Sequence, residues 1–179
     1  MMASFCMDHK DDTVEFIEDP EDLAKEIFMP METWGKFSGY TTDPNINPHY
    51  IRPAMLQQRL QKIMDEYVGG VGTWYMTSKY MLEEGFYYLD LLKEDSHHMC
   101  AENLHELLRA WENFHRILAG EAHARHIHFR EETRYPGYYY RGDHLAIDDE
   151  NWKCFVNSTY DKESGEWDIF KREYHQLVP

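Results

Sequence analysis

The chain has 179 residues, enough for one domain with a real core. Hydrophobic residues make up 42% and aromatics 15%, which argues against disorder over most of the length. A formal net charge of -15 repels nucleic-acid phosphates and anionic membranes, and suits solubility or docking to a basic partner surface.

Cys6, Cys100 and Cys154 are far apart, and no Cys-x-x-Cys occurs. That excludes a zinc ribbon or an iron–sulfur ligand set. An odd, unpaired count fits a reducing cytoplasm. No segment reaches the roughly 20 apolar residues that a membrane helix needs. The first residues turn acidic without an apolar core, so no signal peptide is expected.

Taken in order, the chain opens with a weakly patterned stretch in which a short helix around Ala3 to His9 is expected. Asp19 is a good N-cap, with Pro20 at the first helical position and Glu21 and Asp22 in the first turn. Leu23, Ile27 and Met31 then fall on one face, but Pro30 predicts a kink or stop near Met29. Gly35 to Pro53 is rich in proline and turn formers and reads as an ordered surface loop. Pro53 opens a helix with Leu56, Leu60, Ile63 and Tyr67 at helical spacing, closed by Gly69-Gly70. These glycines and Gly72 follow a helix rather than a strand, and the Gly-x-Gly-x-x-Gly register fails at Tyr75. A cap and turn are favoured over a phosphate loop.

Thr77 or Ser78 caps a third helix with Leu82, Phe86 and Leu89 as its stripe. The fourth starts between Ser96 and Glu102 and runs to about Thr133, with Leu104, Leu108, Trp111, Leu118 and Ala122 facing inward. Gly120 is a point of bending or division, and Pro136-Gly137 must break the helix. Asp148 to Trp152 is an acidic turn. Trp152–Tyr160 and Glu166–Tyr174 then read as strands joined by the Asp161–Gly165 loop. The expected fold is mainly α: a bundle of about four helices with a short C-terminal β-hairpin, one domain overall. Residues 1–53 supply a docking helix and Pro-rich loop, 54–142 the bundle, and 143–179 the turn and hairpin. A lone hairpin is marginal, so it should lie on the helices or extend a partner's sheet.

Sites for chemistry are few. Glu102-x-x-His105 and Glu112-x-x-His115 each match half of a di-iron signature. On one helix they lie roughly 15 Å apart and about 80° around the axis, so they cannot share a metal pair. His105-Glu-Leu-Leu-Arg109 puts a cation where a zinc protease motif needs its second ligand. His123 and His126 lack a third ligand at standard spacing and read as polar groups on a packing surface. His97-His98-Met99-Cys100 reads as packing at a helix start, and no nucleophile motif is present. No catalytic or metal-binding residue is assigned. The richest segment is Arg130 to Asp143. Arg130 and Arg134, read as one helical turn apart, can present two guanidinium forks to one side, with Arg141 across the corner. Such a cluster clamps a phosphate or sulfate, or pairs with Glu131, Glu132 and Asp143 to lock the corner; spacing alone favours the internal ion pairs.

Several of these motifs, in this order, resemble the C-terminal helical domain of the fumarate reductase and succinate dehydrogenase flavoprotein family. They are Arg130, Glu132, Thr133 and Arg134, then Arg141 and Asp143, then Asp148 to Trp152 and the hairpin. Tyr135-Pro136-Gly137-Tyr138-Tyr139-Tyr140 replaces the Gly and His usual in the wider family and looks like the adenylylsulfate reductase alpha-subunit branch. Gln61 to Tyr67 and Leu107 to Asn113 look like the same branch. The resemblance covers about Asp8 to the end. It implies a part in interconverting adenylylsulfate with AMP and sulfite, an FAD held in a flavin domain outside this chain, and a ferredoxin-like iron–sulfur beta subunit as partner. It further implies that Arg130, Arg134, Tyr138 and Arg141 lie nearest the flavin domain, and that the chain alone does not catalyse. A free-standing acidic interaction module and a metal-dependent helical enzyme are the other classes considered.

Overall fold

The computed structural model describes residues 2–12, 19–37, 51–135 and 138–175. In chain order its elements are α1 (Met2–Asp8), α2 (Pro20–Phe37), α3 (Pro53–Tyr67), β1 (Met76–Thr77), α4 (Lys79–Ser96), α5 (Leu104–Phe129), β2 (Tyr140–Arg141), α6 (Asp149–Trp152), β3 (Cys154–Tyr160) and β4 (Trp167–Glu173). The mainly helical bundle with a C-terminal hairpin is the observed architecture: α2 to α5 are long, and β3 and β4 pair antiparallel from Cys154–Glu173 to Tyr160–Trp167. One pairing carried no signal in the sequence: β1 and β2 form a two-residue parallel ladder, Met76 beside Tyr140 and Thr77 beside Arg141. Among the described residues no helix is long and apolar enough to cross a membrane.

Local chemistry sets most helix starts. The Asp19 carboxylate accepts from the Glu21 amide at 2.8 Å, and Ser78 Oγ accepts from the Met81 amide at 3.4 Å. Asn103 Oδ1 accepts from His105 and Glu106 and so fixes the start of α5. The proline-rich stretch before Pro53 lies almost wholly outside the described residues.

Two expectations are corrected. Of the kink or stop expected near Met29, the stop does not occur: helix α2 runs through Pro30. Contacts from the α5 side hold the helix on both sides of this proline. Here the Trp111 indole N–H donates to Ile27 O at 2.9 Å, and Pro30 O accepts the Ala101 amide. The second correction concerns α5. Leu104, Leu108 and Leu118 are exposed. The buried face is Leu107, Ala110, Asn113, Ile117, Glu121, Ala124 and Ile127. The true stripe contains two polar residues, each held by polar contacts. Asn113 Nδ2 donates to Pro53 O at 2.7 Å, and Glu121 pairs with Lys93 at 2.6 Å and Arg125 at 2.7 Å.

The core lies where α3, α4 and α5 meet, built on Leu56, Leu60, Leu82, Leu89, Ile117 and Ala124. Gly120 does not divide α5, which is one helix. A Cβ on Gly85 of α4 would sit 2.9 Å from the Tyr67 Cβ, so this glycine sets how closely α3 and α4 approach. A Cβ on Gly120 would come closest to the end of the flexible Met64 side chain, Sδ at 3.1 Å, with Leu60 Cδ1 at an ordinary 3.7 Å.

The two glycines should therefore respond differently to alanine. Gly85→Ala is expected to destabilise the chain by about 1–3 kcal/mol through overpacking. Gly120→Ala should be neutral or stabilise by up to about 1 kcal/mol, because Met64 can move and alanine favours helix. Urea unfolding measures both, and equal midpoints would contradict the packing argument.

Candidate functional site

Helix α5 ends at Phe129, short of the expected Thr133, because the next residues turn inward. The Glu132 side chain has no exposed surface. Its Oε1 accepts from Arg130 Nη1 at 2.5 Å and Arg134 Nε at 2.7 Å. Its Oε2 accepts from Arg134 Nη2 at 2.9 Å and the Asp148 amide at 3.0 Å. Arg130 and Arg134 are therefore not one turn apart on a helix, as their spacing suggested; they converge because both reach the same carboxylate. Arg130 also donates to Trp152 O at 2.9 Å and Cys154 O at 2.8 Å, joining the end of α5 to the start of the hairpin. Arg134 also pairs with Asp149 at 2.9 Å.

Arg141 is fully buried. Its Nη1 donates to Ile127 O at 2.5 Å, Arg130 O at 2.9 Å and His128 O at 3.1 Å. These are carbonyls at the C-terminal end of α5, which an unassisted helix leaves without donors. The other edge of the guanidinium grips Asp143, Nε to Oδ1 at 3.0 Å and Nη2 to Oδ2 at 2.9 Å. Asp143 Oδ2 also accepts the Lys79 amide at 3.0 Å, in the first turn of α4. Thr133 Oγ1 accepts the Arg141 amide at 3.0 Å and donates to His144 O at 2.8 Å. The corner thus joins α4, α5 and both small sheets.

The charge states follow from these contacts. The Arg141 guanidinium, by direct hydrogen bonding, holds the Asp143 carboxyl far below the usual range. Burial alone would raise Glu132, but its hydrogen bonds from Arg134, the Asp148 amide and Arg130 outweigh that and lower it. Glu132 in turn pushes Arg134 upward, so both partners stay charged. The forks of all three arginines are aimed at Glu132, Asp143 and backbone carbonyls, which is the internal network that spacing favoured over an open anion clamp.

Of the four residues singled out, Arg141 lies inside. Arg130 and Arg134 are partly exposed and line a cavity of about 540 Å³. Tyr138 is 82% exposed. His123, His126 and Lys153 share the cavity wall with Trp152. His126 Nε2 lies 2.9 Å from Ser158 Oγ, and burial pushes both imidazoles below the usual histidine value.

The remaining motifs resolve as packing and pairing. Among the described residues no group of three or more His, Cys, Asp and Glu side chains could hold a metal ion. Glu112 pairs with Arg109 at 2.7 Å and Arg116 at 3.3 Å. Met99 and Cys100 are buried, and burial pushes the Cys100 thiol up to about 12. The glycine loop is filled by Asp65. A Cβ on Gly70 would come within 2.3 Å of Asp65 Oδ1 and one on Gly72 within 2.4 Å of Oδ2, and the Gly72 amide already donates to that carboxylate. A carboxylate at this place repels a pyrophosphate, so the described residues do not fit a dinucleotide-binding loop.

No family model matches the chain. It superimposes with a TM-score of 0.62 on a quinol fumarate reductase chain of E. coli, at 17% identity over 74% of its own length and 23% of that chain. The fold is thus that of a part of the fumarate reductase and succinate dehydrogenase flavoproteins. Within that class the chain is a close homologue of the adenylylsulfate reductase alpha subunit. It is 50% identical to that subunit from Megalodesulfovibrio gigas over 99% of its own length. It matches the adenylylsulfate reductase structure from Archaeoglobus fulgidus with a TM-score of 0.91 and 45% identity over 98% of its length. The chain spans 27% of each of these two relatives, so it corresponds to one portion of the flavoprotein subunit.

Glu132→Gln should destabilise the chain by about 3 kcal/mol, because two largely buried guanidiniums lose their shared counter-charge. Both Glu132 and Asp143 titrate lower in the folded state than when unfolded. Their contribution is therefore complete above about pH 4.5 and is lost as the pH falls further. Acid unfolding followed by circular dichroism should show this decline, and Glu132→Gln should flatten part of it. An unchanged acid profile would argue that Glu132 adds nothing to the corner.

Proposed function

We propose that this chain is the C-terminal helical domain of an adenylylsulfate reductase alpha-like flavoprotein, and that it buttresses the flavin domain of that protein. The observation that carries this reading is 50% identity across nearly the whole chain to an adenylylsulfate reductase alpha subunit. The reaction served is adenylylsulfate plus two electrons to AMP and sulfite, or its reverse. FAD belongs to the flavin domain, and electrons pass through a ferredoxin-like iron–sulfur beta subunit in the cytoplasm. Arg130, Arg134 and Tyr138 lie nearest the flavin domain, with Arg141 holding that corner from within. The cavity beside them supports a role as one wall of the active-site region. Its lining carries Arg130, Arg134 and Lys153 and no carboxylate, in a chain of net charge -15.

That same net charge is the observation behind a second reading, an acidic module that docks on a basic partner without any redox role. Reconstitution separates the two. Adding this chain to a flavin-domain polypeptide that lacks it should raise AMP-dependent sulfite oxidation at least tenfold. No gain over the flavin domain alone would remove the buttress reading, and a pull-down containing no flavoprotein would favour the acidic module.

A further inference from the structure

The loop between α3 and β1 holds out an apolar face that no described residue covers. Trp74 and Tyr75 both have left-handed backbone, with φ of 56° and 60°, a conformation that bulky L residues rarely adopt. Hydrogen bonds keep them there. The Trp74 amide donates to Val71 O at 3.1 Å, the Tyr75 amide to Gly70 O at 2.9 Å, and Tyr75 O accepts the Tyr140 amide at 2.7 Å. The Asp65 carboxylate accepts the Gly72 amide at 2.9 Å and so stiffens the turn from below. What this tight loop presents is exposed: Trp74 is 84% accessible, Val71 71% and nearby Tyr80 71%. The β1–β2 ladder sets Met76 beside Tyr140, and a Cβ on Gly142 would touch the Met76 Sδ at 3.3 Å. The face therefore continues onto the segment that carries Tyr138 and Arg141.

We propose that this face seats the flavin-binding remainder of the subunit, with Trp74 as its anchor; the inference rests on the domain reading above. The choice of occupant follows from length. The chain spans 27% of two homologous subunits, and its fold is kept at a TM-score of 0.91 within one of them, so most of such a subunit lies outside the structure described. Tryptophan, tyrosine and methionine are the residues enriched at interface centres. An anchor held rigid before docking loses little conformational freedom when it binds, which suits a permanent contact between parts of one protein.

Oxidative footprinting tests the proposal in the assembled flavoprotein, whether its flavin part lies on the same polypeptide or another, against the 179-residue chain. Trp74 oxidation should slow at least tenfold on assembly. Trp74→Gly suits the left-handed backbone, so it should leave the thermal midpoint of the chain unchanged or raised. In the assembly the same substitution should speed oxidation of Met76 and Tyr80 severalfold. Trp74 equally reactive in both states would overturn the anchor and leave the domain reading intact. Protection that rises with the concentration of the chain alone would make a second copy the occupant and also overturn it. Failure to recover this chain in any flavoprotein would remove the domain reading itself. The footprint is read on the unsubstituted chain, so a poorly folding variant does not block the test.

Discussion

The buried guanidinium of Arg141 is the constraint on which the rest of the corner depends. Taking such a group out of water costs several kcal/mol unless every donor is met. Each of its three nitrogens is engaged here, Nη1 by α5-end carbonyls and Nε and Nη2 by the two oxygens of Asp143. That requirement dictates geometry. Helix α5 must stop where its carbonyls can face Arg141, and Asp143 must lie where it also meets the Lys79 amide of α4. The parallel ladder between β1 and β2 then follows, since Arg141 is itself one of its residues. Glu132 repeats the device from the other side, holding Arg130 and Arg134 together and tying them to Asp148.

What the sequence made legible was local. Asp19, Pro53 and Ser78 mark helix starts through contacts within a few residues, and Asp161 to Gly165 closes its hairpin the same way, with Gly165 at a φ of 74°. What it hid was set by distant partners. Asn113 and Glu121 face inward only because Pro53 and Lys93 are there to receive them, so a reading by large apolar side chains followed Leu104, Leu108 and Leu118 onto the wrong flank. The turn before Pro30 is tied down by an indole 84 positions along the chain, which donates to Ile27 O. The arginine motif was visible as composition and order, but its spacing was read on a helix that ends four residues too soon for that geometry, at Phe129.

The same polar corner explains how a weak hairpin is kept in place. None of the residues in β3 and β4 is buried, so packing alone would leave the hairpin marginal. It lies on α5 through directed contacts instead: Arg130 to Cys154 O, and His126 to Ser158. Trp152, at the root of the hairpin, takes Arg130 at 5.7 Å and Lys171 at 3.6 Å from its ring centroid. Directed contacts of this kind fix orientation more than they add stability. The consequence is local: the cavity wall between α5 and the hairpin takes its shape from contacts within the chain.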